Sequence, residues 1–121
     1  FYTAKASKKE REAGLAHLPK NPCGVLNGGR DGELNRGGKP PAPRSNTHPT
    51  VKPLDLMRYC VRMVTPKGGT ILDPFCGSGS TLCAGVLEGF EIIGIERESE
   101  YVEIARCRVD HWREDVKSRL L

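Results

Sequence analysis

The sequence predicts an α/β fold in which a parallel βαβ unit with flanking helices follows an irregular Gly/Pro-rich segment. Residues 70–73 and 90–95 are short runs rich in aliphatic side chains, and the residues between them contain a helical stretch. Strand, helix, strand and helix at these lengths form a parallel sheet with a right-handed crossover. The Gly and Pro residues concentrated between residues 19 and 47 predict the irregular segment.

Length and composition limit the class of protein. The 121 residues suffice for one domain and not for two, and the 37% of hydrophobic residues allow a modest core. No apolar run approaches the roughly 20 residues of a membrane span, so we expect no contact with a membrane. There is no charged-then-apolar leader, so we expect no signal peptide. Because the chain begins with Phe1 rather than Met, we interpret it as a fragment, or as a processed or partly covered gene product.

The first half of the chain is expected to be the less regular half. Residues 1–4 have the composition of a strand end, and the charged residues 7–12 fit either a helical turn or a surface loop. We expect residues 19–47 to form a loop that is mobile unless a partner holds it. Residues 1–50 carry nine Lys/Arg against four Asp/Glu, which fits either contact with a polyanion or a solvated linker; charge alone favours the linker.

Regular structure is expected from His48 onward. Pro49 and Pro53 fix two φ angles, and Pro53 suits the first position of a helix. That helix has apolar residues at helical spacing: Leu54, Met57, Val61 and Val64. The sequence Thr-Pro-Lys-Gly-Gly at residues 65–69 ends it.

The βαβ unit follows directly. A buried strand at 70–73 leads through a glycine-bearing turn at 74–79 to a helix at 80–88, which Gly89 closes. A second buried strand at 90–95 ends in Glu96.

The last helix is predicted to begin after Ser99 as its N-cap. Its apolar stripe consists of Tyr101, Ile104, Ala105, Val109, Trp112 and Val116. This spacing places Trp112 in the core rather than on a base-stacking surface.

The five cysteines predict neither a disulfide framework nor a zinc ribbon, because their number is odd and no C-x-x-C occurs. Cys107 and His111 are four residues apart on a predicted helix but lack a second ligand pair, so no metal site is predicted. Reduced cysteines in a cytoplasmic protein are the simpler interpretation.

Residues 73–96 predict a binding site for an adenosine-containing cofactor. The first strand delivers Asp73 to the carboxyl edge of the sheet, where ligands of such sheets bind. Gly77 and Gly79 allow a sharp turn whose backbone can lie close to a ligand. Glu96 ends the next strand, where an acidic side chain accepts hydrogen bonds from ribose hydroxyls.

The residues around the glycines favour S-adenosylmethionine over a dinucleotide. The third glycine of G-x-G-x-x-G is replaced by Leu82, and no phosphate-cradling G-x-x-x-x-G-K-[S/T] is present. A carboxylate at Asp73 would repel a pyrophosphate and attract an amino group.

Three segments resemble DNA amino-methyltransferases. Residues 73–81, D-P-F-C-G-S-G-S-T, are similar to that family's cofactor motif D-P-F-x-G-S-G-[S/T]-T. Residues 46–54 resemble its H-P-T-x-K-P segment, and residues 94–105 its G-[I/V]-[E/D]…Y…A segment. This order, with the cofactor part C-terminal, resembles the permuted beta group, which methylates adenine N6 or cytosine N4.

The resemblance implies a Rossmann-like sheet that binds S-adenosylmethionine, and it implies roles for individual residues. Phe75 would pack beside the adenine, and the backbone of Cys76, Gly77, Ser78 and Gly79 would approach the methionine part. Asp73 would contact the amino group of the amino acid. Lys52 and Thr50 would lie near its carboxylate. His48 is expected to be positioned by Pro49 rather than used as a base.

The family's catalytic motif, [D/N/S]-P-P-[Y/F/W], is not found in this chain. Residues 39–42, K-P-P-A, have the prolines but neither the acceptor nor the aromatic residue. In the permuted order the motif would lie upstream of Phe1, so no catalytic residue is predicted, and the chain is expected to be inactive alone.

The resemblance therefore implies two regions. Residues 1–47 would be the end of the target-recognition region and a flexible loop, and residues 48–121 the cofactor-binding part. The expected partners are S-adenosylmethionine, double-stranded DNA and the upstream half of the same methyltransferase, in the cytoplasm of a bacterium or encoded by a phage. The oligomeric state is left open, and so is the alternative of a catalytically incomplete remnant that binds only cofactor or nucleic acid.

Overall fold

The computed structural model describes residues 4–20 and 43–121. The described residues contain four helices and two strands in this order: α1 Lys8–Glu12, α2 Leu54–Val64, β1 Thr70–Asp73, α3 Ser80–Leu87, β2 Glu91–Gly94 and α4 Ser99–Leu120. The predicted α/β class is confirmed. The expectations for residues 1–3, for most of the Gly/Pro-rich segment and for the sequence K-P-P-A at residues 39–42 concern residues outside the described ranges.

The two strands form a parallel pair, as predicted. Ile71 faces Ile92 and Leu72 faces Ile93 in the register of the pair. Helix α3 covers the face that carries Ile71 and Ile92, since a Cβ added at Gly85 would lie 2.6 Å from the Cγ2 atom of Ile92. On the opposite face, the side chains of Leu72 and Ile93 are 60% and 53% exposed. The prediction of buried strands is therefore correct for one face and wrong for the other.

The core lies between α2, α3 and α4. One cluster of buried side chains joins Leu54, Leu82, Cys83 and Val109, and Trp112 packs against it. Trp112 is partly buried, and its packing against this cluster agrees with its predicted place on the apolar face of the last helix. A second cluster joins Val61, Ile71 and Ala84 beneath the sheet. Burial raises the pKa of the Cys83 thiol to about 11, so this cysteine is an inert core residue.

Helix ends follow the predicted signals with three shifts of one residue. Helix α3 ends at Leu87 rather than at residue 88. Gly89 has φ +75° just beyond α3, which is the left-handed conformation expected for a glycine there. Pro53 is the N-cap of α2 rather than its first residue. Glu98, with extended backbone, is the N-cap of α4, and Ser99 is already helical.

The N-terminal segment is tied to the rest of the chain by buried polar groups. A capping box formed by Ser7 and Glu10 stabilises α1, which settles the choice between helix and loop for residues 7–12. The carboxylate of Glu12 accepts hydrogen bonds from the N–H groups of Ser45 and Asn46, at 2.9 and 3.3 Å. The N–H of Leu54 also donates to the carboxylate of Glu10, and this contact crosses the boundary predicted at residue 47. No described helix has the length and apolarity needed to cross a membrane.

Candidate functional site

The turn between β1 and α3, residues 74–79, is held at the carboxyl edge of the sheet. The N–H of Ile95 donates to the carbonyl oxygen of Asp73 at 2.9 Å. The N–H of Cys76 then donates to the carbonyl oxygen of Ile95 at 3.0 Å. The strand pairing thus continues into the start of the turn, which places the turn beside the end of β2.

Glu96 lies at the centre of this arrangement. One carboxylate oxygen accepts the N–H of Gly77 at 2.9 Å, and the other accepts the N–H groups of Arg97 and Glu98 at 2.8 and 3.0 Å. The hydrogen bonds from the backbone of Glu98, and then of Gly77 and Arg97, lower the pKa of Glu96. A carboxylate has about four acceptor positions, so three internal bonds leave capacity for a ligand hydroxyl.

Asp73 shapes the beginning of the turn. Its Oδ1 atom accepts the N–H of Phe75 at 3.1 Å, an Asx-type bond that bends the chain after β1. The ring of Phe75 is 87% exposed. An acidic group and an aromatic face therefore stand next to each other at the edge of the sheet.

The two glycines of the turn are required by the protein's own packing. Gly77 and Gly79 have φ +51° and +75°. A Cβ at Gly77 would lie 2.5 Å from Nε2 of His48, and a Cβ at Gly79 would lie 3.0 Å from the Cβ of Ala105. The sequence predicted glycines for close approach to a ligand. In the structure, the groups that approach them are His48 and helix α4.

His48 forms a wedge between the turn and α4. Its ring meets Tyr101 edge to face, with centroids 4.6 Å apart, and its Nδ1 atom accepts the N–H of Thr50 at 3.3 Å. Burial lowers the pKa of His48, which favours the neutral ring. His48 therefore acts as a packing group, and its contact with Gly77 is one that the sequence pattern did not reveal.

The segment carrying Thr50 and Lys52 reaches the same place. The N–H of Lys52 donates to the hydroxyl oxygen of Ser80 at 3.3 Å, at the first residue of α3. The side chains of Thr50 and Lys52 are exposed. The structure thus brings together the three segments singled out in the sequence.

Arg108 is a residue that sequence reasoning missed. It is fully buried on α4, and its Nη1 atom donates to the carbonyl oxygen of Ser78 at 2.6 Å. Its spacing from Ala105 and Val109 on one helix face was the available signal, but an arginine at such a position ordinarily lies at the surface.

A cleft of about 280 Å³ opens between β2 and α4. Of the predicted site residues, only Cys76 and Glu96 line it. Burial raises the pKa of the Cys76 thiol, and the nearby carboxylates of Asp73 and Glu96 raise it further. The thiol is therefore protonated at neutral pH and is not a nucleophile.

Three potential metal ligands meet on the other side of α4. The ligand atoms of His17, Glu103 and Cys107 lie within 4.8 Å of one another. Burial raises the pKa of the Cys107 thiol, and the carboxylate of Glu103 adds to this effect. The thiol contacts Nε2 of His17 at 3.4 Å and donates to the Glu103 carboxylate at 3.8 Å. These hydrogen bonds explain why the three side chains lie close together. The absence of a metal site stays a prediction.

Comparison with known proteins connects this geometry to a family. A sequence model described as DNA methylase matches residues 3–106. Over 61 residues the chain is 49% identical to the type II methyltransferase M2.MboI of Moraxella bovis, covering 50% of this chain and 22% of that protein. Over 63 residues it is 44% identical to the type II methyltransferase M2.DpnII of Streptococcus pneumoniae, covering 52% and 24%.

A solved structure, the crystal structure of the M1.HpyAVI–SAM complex, is similar with a TM-score of 0.51 and 41% sequence identity. The likeness covers 53% of this chain and 31% of that one. The chain thus spans about a quarter of the curated relatives that it matches.

Proposed function

This chain belongs to the DNA methylase family, and on that basis we propose that it is the cofactor-binding part of a site-specific DNA methyltransferase. The proposed reaction transfers a methyl group from S-adenosylmethionine to an exocyclic amino group in DNA, N6 of adenine or N4 of cytosine. The type II methyltransferases among its relatives support this class of reaction.

The observation that carries the proposal is the convergence of three separate segments on one turn. The N–H of Gly77 is bound to Glu96, 19 residues away in sequence, at 2.9 Å. The N–H of Lys52 is bound to Ser80, 28 residues away, at 3.3 Å. Each of the three segments resembling the family's motifs therefore supplies a group at the same edge of the sheet, where ligands of parallel sheets bind.

The chemistry of the groups at this edge fits the parts of S-adenosylmethionine. In the proposal, Asp73 attracts the ammonium group, and Glu96 accepts from a ribose hydroxyl at its remaining acceptor position. The exposed ring of Phe75 offers an apolar face to the adenine. Thr50 and Lys52 receive the carboxylate, aided by the N-terminus of α3, whose dipole favours negative charge. S-adenosylmethionine itself supplies the activated methyl group on its sulfonium.

Two functions needed for DNA methylation require residues outside this turn. Methyl transfer needs an acceptor that holds the target amino group in line with the sulfonium, and base flipping needs an aromatic partner. We propose that the upstream half of the methyltransferase provides both. The exposed face formed by Leu72 and Ile93 supports this, because parallel sheets are ordinarily covered on both faces.

The direct test is transfer of labelled methyl groups into duplex DNA, with calorimetric titration of S-adenosylmethionine. We expect residues 1–121 alone to bind the cofactor weakly and to transfer no methyl group. Activity should return when the upstream half is supplied, in the same chain or as a separate protein. The position of the label, N6 of adenine or N4 of cytosine, identifies the target.

Two outcomes would contradict the proposal. Sustained turnover by residues 1–121 alone would place the catalytic residues within this chain. Absence of cofactor binding and of transfer in the reconstituted protein would favour the alternative, a remnant that binds nucleic acid through the basic residues of its first half.

A further inference from the structure

Arg108 is buried directly behind the turn. Its exposed fraction is 0%, and it is the largest fully buried side chain among the described residues. The two N–H groups of its Nη1 atom are shared among three acceptors: the carbonyl oxygen of Ser78 at 2.6 Å, the hydroxyl oxygen of Ser78 at 3.2 Å and the hydroxyl oxygen of Ser80 at 3.4 Å. A single cationic nitrogen thus holds both ends of the Ser78–Ser80 stretch.

Core stability alone does not account for an arginine here. Among residues 4–20 and 43–121, no hydrogen-bond partner is found for the Nε and Nη2 atoms, and none of the ion pairs includes Arg108. Burial lowers the pKa of its guanidinium, although the carboxylates of Glu10 and Glu12 act in the opposite direction. Apolar side chains of similar volume often replace buried charges without loss of stability. The useful contacts of this guanidinium are those it makes with the turn.

The contact with Ser80 extends the effect to a second segment. The hydroxyl oxygen of Ser80 accepts from Arg108 and also from the N–H of Lys52, at 3.3 Å. The hydroxyl group of Ser80 therefore links Arg108 to the segment that carries Thr50 and Lys52. Gly79, between the two serines, is held in the left-handed conformation with φ +75°.

We propose that Arg108 is a positioning residue for the cofactor: it fixes residues 78–80 so that the backbone of the turn and the start of α3 face S-adenosylmethionine. The expected effect of Arg108 on the affinity for S-adenosylmethionine rests on the proposed function. Its effect on the conformation of residues 78–80 does not depend on the proposed function, because it follows from the hydrogen bonds alone.

The test compares Arg108→Met, Arg108→Lys and Ser80→Ala with the matched control Val109→Ala. Val109 is the next residue of α4 and is also buried, at 6% exposure, but it has no polar contact with the turn. The variants are made in the protein with its upstream half, and thermal unfolding of each is measured first. Amide hydrogen exchange of Gly79 and Cys83, whose N–H groups bond to Cys76 and Gly79, then reports on the turn without any cofactor.

We expect Arg108→Met to lose exchange protection at the turn and to raise the Kd for S-adenosylmethionine by about 10–100-fold. Arg108→Lys should restore part of the affinity, because it returns one cationic donor. KM for the cofactor should rise while kcat at saturation changes by less than about threefold, since the methyl acceptor lies elsewhere. Val109→Ala should lower the unfolding temperature without a comparable rise in Kd.

The outcomes separate the two proposals. If the parent protein binds no S-adenosylmethionine, the proposed function fails, and the exchange data still decide the role of Arg108 in the turn. If the parent binds and Arg108→Met shows the same Kd and the same protection as Val109→Ala, Arg108 is an ordinary core residue. Should Arg108→Met fail to fold, Arg108→Lys and Ser80→Ala decide by the same two measurements.

Discussion

The backbone N–H of Gly77 donates to a carboxylate oxygen of Glu96 at 2.9 Å, and this bond closes the turn after β1 onto the end of β2. The sequence predicted both residues as parts of a cofactor site, but with separate roles. In the structure Glu96 orders the turn as well as offering acceptor positions at its rim. Loss of this carboxylate should therefore affect the folded protein even when no ligand is bound.

Glu96→Ala is expected to lower the affinity for S-adenosylmethionine by about 1.5–3 kcal/mol, because it removes a charged hydrogen-bond acceptor. It should also lower the unfolding temperature of the unliganded protein, because three backbone N–H groups lose their acceptor. Calorimetric titration and thermal unfolding measure the two effects. Glu114→Ala, at an exposed position of α4, is the control. An unchanged affinity for S-adenosylmethionine would contradict the assignment of Glu96 to the cofactor site.

Asp73→Asn separates the charge of Asp73 from its place in the turn. The amide oxygen can still accept the N–H of Phe75, so the turn and the unfolding temperature should be nearly preserved. The affinity for S-adenosylmethionine should fall by about 1.5–3 kcal/mol, because the attraction to the ammonium group is lost. Asp55→Asn, at an exposed position in the first turn of α2, should leave affinity unchanged. Equal affinities of the Asp73→Asn and Asp55→Asn variants would contradict the assignment of Asp73 to the ammonium group of the cofactor.

Gly77→Ala is expected to be more destabilising than Gly68→Ala. Both glycines have positive φ, which costs about 1–2 kcal/mol for a residue with a Cβ. Only at Gly77 does the added Cβ meet another group, Nε2 of His48 at 2.5 Å, so crowding adds about 1–3 kcal/mol. Urea unfolding measures the difference. In a His48→Ala background, Gly77→Ala should cost about as much as Gly68→Ala; a persistent difference would mean that His48 is not the obstacle.

The partly buried ring of His48 is expected to make the stability of the protein decrease at acidic pH. Burial lowers the pKa of its ring below the ordinary 6.5, so the unfolded chain takes up the proton at a higher pH than the folded protein does. Stability should therefore decrease as the pH falls through 6.5 toward the folded-state pKa, with no contribution from His48 above that window. Urea unfolding at several pH values between about 5 and 8 measures this. His48→Gln should flatten the profile relative to His111→Gln, whose ring is exposed on α4. Parallel profiles would contradict the role of His48.

The order and type of the elements could be predicted because the local signals agree with one another. Strand β1 was predicted at the bounds that the structure gives it, and the helix after it begins at Ser80 as expected. Aliphatic runs, a glycine-bearing turn and a glycine after the helix each act over a few residues. For the same reason the convergence of Asp73, the glycine turn and Glu96 at one edge followed from the parallel βαβ topology.

Contacts between residues far apart in sequence could be decided only by the tertiary structure. The sequence around Arg108 does not predict that its guanidinium contacts Ser78, 30 residues earlier. Nor does the sequence around Gly77 predict that the ring of His48 lies beside it. The exposure of Leu72 and Ile93 is of the same kind, since an aliphatic strand looks alike in sequence whether one face or both are covered. Local propensity is set by neighbouring residues, and it determined the elements and the candidate turn. Packing depends on which surfaces meet, and it decided what holds that turn in place.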